Sequence, residues 1–263
     1  MPLTLAVPAA YAATMTDAPQ VTPLPHDSFS RVLCVAAHPD DLEYGVSAAV
    51  AAWTAAGADV AYLLLTRGEA GIDTMEPGRT AEVRVAEEVD AARQVGVEVV
   101  EFLDHPDGML EYGLGLRRDI ARAIRRHRPD AVVVGSWDVE FVAGLNHADH
   151  RVAGMATLDA VRDAGNRWVF REQLDDGLEP HSPRWLLSAG DARPTHGVDV
   201  SGEPVLAGAR SLDAHAQYLE ALPWHPPGAE LVPWVTGAAG PALGCDNAVV
   251  FRAWDFEAPP SFD

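Results

Sequence analysis

Short apolar runs alternate along the chain with stretches in which apolar residues return every three or four positions, the pattern of successive βα units. Residues 32–37, 60–65, 97–102 and 131–134 read as strands, and residues 47–56, 81–94 and 116–127 read as helices. Gly57 and Gly96 stand just past two of these helices, where C-terminal caps belong. A further helix is expected from near His147 to about Ala164, strands at 185–188, 198–200 and 249–254, and a late helix over 211–222. Between the last two elements, Pro223, Pro226, Pro227, Pro233 and Pro241 interrupt a segment that carries Trp224 and Trp234, read either as packing at a sheet edge or as a wall for a substrate. The fold class is α/β, a Rossmann-like three-layer sandwich with a mainly parallel sheet and helices on both faces. Residues 1–30 are expected to form a flexible arm, and 31–263 a single domain with a Pro- and Trp-rich C-terminal segment from about 223.

Composition narrows the partners. The formal net charge is -20, and every one of the 19 basic residues is arginine, so a surface that tracks nucleic-acid phosphates is not expected. With only Cys34 and Cys245, and Cys34 inside an apolar run, no disulfide framework is indicated and a reducing, cytoplasmic setting is the default. No apolar run approaches the roughly 20 residues of a membrane span. Residues 3–13 are mostly apolar, but Pro8 interrupts them and no Lys or Arg precedes them, which argues against a secretory leader; Met15 offers an alternative start.

In open α/β sheets the ligand crevice lies outside the carboxyl ends of the strands, where the winding reverses. If the first four strands take the order 3-2-1-4, the first and fourth are neighbours there. His38-Pro39-Asp40-Asp41 directly follows the first strand, and His147-Ala148-Asp149-His150 ends the loop after the fourth. Two imidazole or carboxylate ligands from one loop and one from the other would make a three-ligand site with an open position, the arrangement of a catalytic zinc. Fe(II), Co or Ni suit the same nitrogen and oxygen donors. Taken singly, either motif reads equally as a helix cap or a solvated loop. A dinucleotide fingerprint is absent from the first turn, and a phospho-acceptor site built on Asp40 and Asp41 would lack its lysine.

At these positions the sequence resembles the LmbE-like (PIG-L) family of deacetylases. The matching residues are Ala37-His38-Pro39-Asp40-Asp41-Leu42-Glu43-Tyr44-Gly45, Thr66-Arg67-Gly68-Glu69-Ala70-Gly71, Arg84, Pro106-Asp107-Gly108 and His147-Ala148-Asp149-His150, with a partial match at Ala214-His215-Ala216-Gln217. The resemblance implies that His38, Asp41 and His150 bind zinc, that Asp40 is the general base acting on water at the metal, and that His147 stabilises or protonates the tetrahedral species. It makes Asp149 the carboxylate that orients a histidine, and Arg84 and Asp107 contacts to sugar hydroxyls; an ordinary helix-surface salt bridge is the alternative for Arg84. Ala148 replaces the family's proline, Leu145 and Asn146 stand where some relatives carry a tyrosine, and the serine and upstream lysine of the late motif are missing.

These readings converge on a metal-dependent hydrolase that removes an acyl group, acetyl in the family, from the amide nitrogen of an amino sugar or related small molecule, with a small N-acylated glucosaminide as partner and a homo-oligomer left open. An amidase of a thiol–sugar conjugate and a metal-binding module without turnover are the alternatives. Asp40 separates the last from an enzyme, because binding alone needs ligands but no base.

Overall fold

The computed structural model describes residues 21–141 and 144–257. The leader-like residues 3–13 and Met15 lie outside them. The arm expected over residues 1–30 does not extend through 21–30: strand β1 (Thr22–Pro23) pairs in parallel with a late strand, and Val21, Leu24 and Phe29 are buried. Three apolar side chains in ten residues bury enough surface to tie the segment down.

The chain continues through β2 (Arg31–Ala36), α1 (Ser47–Ala55), β3 (Asp59–Leu64), α2 (Pro77–Gln94), β4 (Val99–Phe102), α3 (Leu114–His127) and β5 (Ala131–Gly135). A small hairpin, β6 (Glu140–Phe141) and β7 (Gly144–Leu145), leads into α4 (Ala148–Gly165) and a short α5 (Glu172–Asp175). Then come β8 (Trp185–Ala189), β9 (His196–Asp199), α6 (Glu203–Asp213), α7 (Ala216–Glu220), α8 (Gly228–Leu243) and β10 (Ala248–Asp255). Gly57 and Gly96 adopt φ +95° and +79°, the left-handed geometry that ends α1 and α2.

The main sheet has eight strands in the order β1-β9-β10-β8-β5-β2-β3-β4. Its first four βα strands thus run 3-2-1-4 as expected, and β2 pairs in parallel with β5 from Val32↔Ala131 to Val35↔Val134. Only β10 runs antiparallel, between β8 and β9. Successive residues of β2 supply both layers of the core. Val32, Cys34 and Ala36 pack with Trp53, Leu212 and Val232 under α1, α6 and α8. Leu33 and Val35 pack with Ile120, Ile124, Ala156 and Ala160 under α3 and α4. A strand buried on both faces must be apolar at every position, which is why these runs lack alternation. Among the described residues no helix is long and apolar enough to cross a membrane.

Two expectations fail in the C-terminal third. The helix expected over 211–222 begins at Glu203 and breaks at His215, whose ψ of 50° leaves helical geometry as its ring turns into the interior. The segment with Pro233 and Pro241 is helical despite both prolines. Tertiary packing overrides propensity there: Val232, Thr236, Ala239 and Ala242 are buried, and Gly240 lies so close to the backbone of Cys245 and Asp246 that a Cβ would collide.

Candidate metal centre

The parallel register of β2 and β5 brings the loops that follow them to the same end of the sheet. His38 leaves β2 buried, and its backbone N–H donates to Asp41 Oδ2 at 2.9 Å, folding the four-residue motif back on itself. His147 is the N-cap of α4 and places Asp149 and His150 in its first turn. The outcome is a convergence on Asp41. His38 Nδ1 lies 3.7 Å from Asp41 Oδ2, and His150 Nε2 lies 3.0 Å from Asp41 Oδ1. Ligand atoms of His38, Asp41 and His150 all lie within 4.8 Å of one another.

The opposite sides of both rings are held. His38 Nε2 is 3.0 Å from Asp107 Oδ1 and 3.3 Å from Asp149 Oδ2, and these carboxylates fix its proton on Nε2 and turn Nδ1 toward Asp41. His150 Nδ1 is 3.2 Å from Asn146 Oδ1, while the Asn146 amide donates to Ser136 O and Asp138 O, so its oxygen is committed to His150. Asp149 also accepts from the backbone N–H groups of Gly108 and Leu110, and Asp107 from that of Ala70, which ties the loops together around His38. This is the outer shell that metal-bound histidines require.

The electrostatics match a cation site. Burial opposes a charge on His38, but Asp41, Asp107 and Asp149 lift its pKa to about 12. Burial likewise opposes the Asp41 carboxylate, yet His38 and His150 hold it well below the usual range. Without a metal, protons on the imidazoles supply the positive charge that the acids demand.

Asp40 stands behind this centre in an unusual backbone state, φ +94°. Its carboxylate is nearly buried; burial pushes its pKa up to about 6, against the pull of the Arg84 guanidinium 2.8 Å away. Arg84 also donates to Pro39 O and lies 3.9 Å over the ring of Tyr218. Gly68 and Gly71 make room for it, since a Cβ at either would strike its Nη1. Arg84 is 2% exposed, which removes the helix-surface reading. Both residues expected at a sugar are thus engaged by the site's own side chains: Arg84 faces Asp40, and Asp107 faces His38.

His147 is exposed at the rim, and its Nδ1 accepts from the Asp149 backbone N–H at 3.3 Å, leaving the ring proton on Nε2. Beside it Tyr112, Ala148, Arg151, Val152 and Met155 line an open groove. On the other side Tyr44 bonds through its hydroxyl to His225 Nε2 at 2.8 Å, and Trp224, 66% exposed, tilts against His225.

The sequence assigned no role to Asn146, Tyr44, Tyr218, Glu87 or Glu88. Glu87 accepts from the backbone N–H groups of Gln217 and Tyr218, and Glu88 from that of Asp40. The signal for the pair was present in α2, where buried acids stand three and four residues after Arg84 on one helical face.

Known proteins resemble this chain in sequence and in fold. The family model for PIG-L, GlcNAc-PI de-N-acetylase, matches residues 33–161. Diacetylchitobiose deacetylase of Thermococcus kodakarensis is 34% identical over 67% of this chain and 66% of its own length. The 1D-myo-inositol 2-acetamido-2-deoxy-alpha-D-glucopyranoside deacetylase of Kineococcus radiotolerans is 32% identical over 88% of this chain and 77% of its own. Among solved structures, N,N'-diacetylchitobiose deacetylase from Pyrococcus horikoshii superposes with a TM-score of 0.78 at 23% identity, covering 88% of this chain and 86% of that one, and shows the same fold. The chain belongs to the PIG-L (LmbE-like) family of de-N-acetylases.

Proposed function

We propose that this protein is a zinc-dependent N-deacetylase of a small N-acetylglucosaminide, with His38, Asp41 and His150 as the metal ligands. The observation that carries the reading is the approach of two imidazole nitrogens to the two oxygens of one carboxylate, each ring backed by a fixed acceptor. Three nitrogen and oxygen ligands with the His150 side still partly exposed suit a metal that keeps an open position. His38, Asp41 and His150 would hold a divalent metal, which would supply Lewis-acid polarisation of the amide carbonyl and would lower the pKa of water to about 7.

The chain's own residues supply the proton transfers. Asp40 takes a proton from the attacking water, and a carboxyl poised at about 6 is ionised at neutral pH yet basic enough for the task. His147, with its proton on Nε2, donates to the carbonyl oxygen as negative charge develops there. The departing amine then receives the proton held by Asp40.

The substrate class follows from the relatives, whose names specify acetylated glucosamine glycosides. A net charge of -20 opposes polyanionic ligands and favours a neutral sugar. The remaining lone pairs of Asp107 provide acceptors for sugar hydroxyls, whereas Arg84, buried beneath Asp40, acts on the base. Trp224 adds an exposed aromatic face for the aglycone.

The test combines metal analysis with free-amine release from a panel of N-acetylglucosamine glycosides, including diacetylchitobiose and an inositol conjugate. One equivalent of zinc per chain, and turnover that is lost in Asp40→Asn with the zinc retained, is expected. Turnover at the parent rate in Asp40→Asn, or cleavage confined to non-sugar amides, would overturn the reading.

A further inference from the structure

Behind the candidate centre lies a second group of ionisable side chains that the proposed chemistry does not use. Glu43, Glu88 and His215 have ligand-capable atoms within 4.8 Å of one another, and all are buried, Glu88 and His215 with zero exposure. His215 Nε2 lies 3.6 Å from Glu88 Oε2 and 3.8 Å from Glu43 Oε2. Ser211 donates to the other Glu43 oxygen at 2.9 Å. Completely buried acids are costly to fold unless the arrangement serves something that demands it.

The feature nearest to them that makes such a demand is the backbone of Asp40. A φ of +94° is a conformation that side chains other than glycine rarely adopt, and at a candidate base such strain persists only where surrounding contacts impose it. Those contacts come from one face of α2. Arg84 grips the preceding carbonyl, Pro39 O, and the Asp40 carboxylate. One turn later, Glu88 Oε2 accepts from the Asp40 backbone N–H at 3.1 Å. Pro39 O, the Asp40 N–H and the Asp40 side chain are therefore all fixed by two residues spaced i, i+4 on a rigid helix. His215 and Glu43 pack against Glu88, whose side chain is wholly buried.

We infer that Glu88 is a positioning residue for the reaction: by holding the Asp40 N–H from α2, it keeps the Asp40 peptide in its left-handed conformation and so aims the base at the site between His38, Asp41 and His150. This inference rests on Asp40 being the base. Glu88 itself touches neither substrate nor metal ligand. What Asp40 requires of it is an acceptor oxygen at a fixed place, which an amide supplies as well as a carboxylate.

The experiment is a mutant cycle on the zinc-loaded enzyme, reading kcat, KM and metal content for Asp40→Asn, Glu88→Ala, Glu88→Gln and the double variant D40N/E88A. Misplacing a reacting group by about 1 Å lowers rates by up to about 10²-fold, so Glu88→Ala is expected to lose roughly 10- to 100-fold in kcat with KM and zinc content unchanged. Glu88→Gln should recover most of that loss. In the Asp40→Asn background the additional Glu88→Ala change should lower kcat by less than about twofold, because a residue that acts through Asp40 has nothing left to position. Full additivity in the double variant, or a Glu88→Gln protein as slow as Glu88→Ala, would overturn the inference while leaving Asp40 as the base. Parent-like kcat in Asp40→Asn would instead remove the base, and the inference with it. Should Glu88→Ala fail to fold, Glu88→Met, closer to it in volume and lacking the acceptor, takes its place in the cycle.

Discussion

Replacing Arg84 by Met separates two jobs that the guanidinium could do. The substitution removes a buried ion pair with Asp40 at 2.8 Å, the bond to Pro39 O and the stacking on Tyr218, while roughly preserving volume. Stranding one partner of a buried pair costs roughly 3–5 kcal/mol if its charge persists. Asp40 has an escape, because burial already places its carboxyl at about 6; taking up a proton from there at pH 7 costs only about 1.4 kcal/mol. Protonation therefore limits the expected stability loss to roughly 1–3 kcal/mol at neutral pH. A carboxyl whose folded value is raised contributes stability at low pH that is lost as pH rises through that value, so the penalty should grow toward alkaline pH. Catalysis reads the same event. Burial is the main upward push on Asp40 and Arg84 the strongest opposing pull; with Arg84 gone, a further rise of about two units would cut the ionised fraction at pH 7 from about nine-tenths to about one-tenth. The acid limb of the kcat/KM profile should move to higher pH, with activity at pH 7 down about tenfold and largely regained near pH 9. Steady-state kinetics across pH 5–10, beside urea unfolding, give both quantities. An unmoved acid limb with only KM raised would refute the reasoning and return Arg84 to the substrate alone.

His150→Ala should abolish stoichiometric zinc by elemental analysis and reduce turnover to background, while circular dichroism stays that of the parent, since neither core layer includes the site. Because His38 in the metal-free protein is held at about 12, it is protonated at pH 8 and must give up a proton to ligate; titration calorimetry in buffers of different ionisation enthalpy should show at least about one proton released per zinc, and buffer-independent heats would count against it. Arg125→Leu should lower stability by roughly 3–5 kcal/mol in urea unfolding, because its buried guanidinium satisfies the carbonyls of Asp163, Ala164, Asn166, Val169 and Phe170 around the end of α4. Trp224→Ala should raise KM for a disaccharide about 3- to 10-fold more than for N-acetylglucosamine, the loss of one aromatic face being worth about 1 kcal/mol; equal effects on both substrates would place Trp224 away from the aglycone.

The sequence by itself determined most of the strands and helices and pointed to the candidate metal ligands, because each depends on neighbours along the chain. A strand covered on both faces must be an unbroken apolar run such as 32–36, and two compact His- and Asp-bearing motifs at strand ends leave few chemical readings. It did not determine the helix through Pro233 and Pro241, or the break at His215, where packing against distant backbone and buried acids outweighs local propensity. Roles within the site divide in the same way. Asp149 could be read as a carboxylate orienting a histidine, but that the histidine is His38 follows from positions 111 apart in the chain folding back to 3.3 Å. Arg84 looked like a surface or substrate residue until the gap left by Gly68 and Gly71 seated it beneath Asp40. The left-handed backbone of Asp40 has no signature in sequence, since it is imposed by Arg84 and Glu88 from another element, and only the packing of α2 against the loop after β2 decides it.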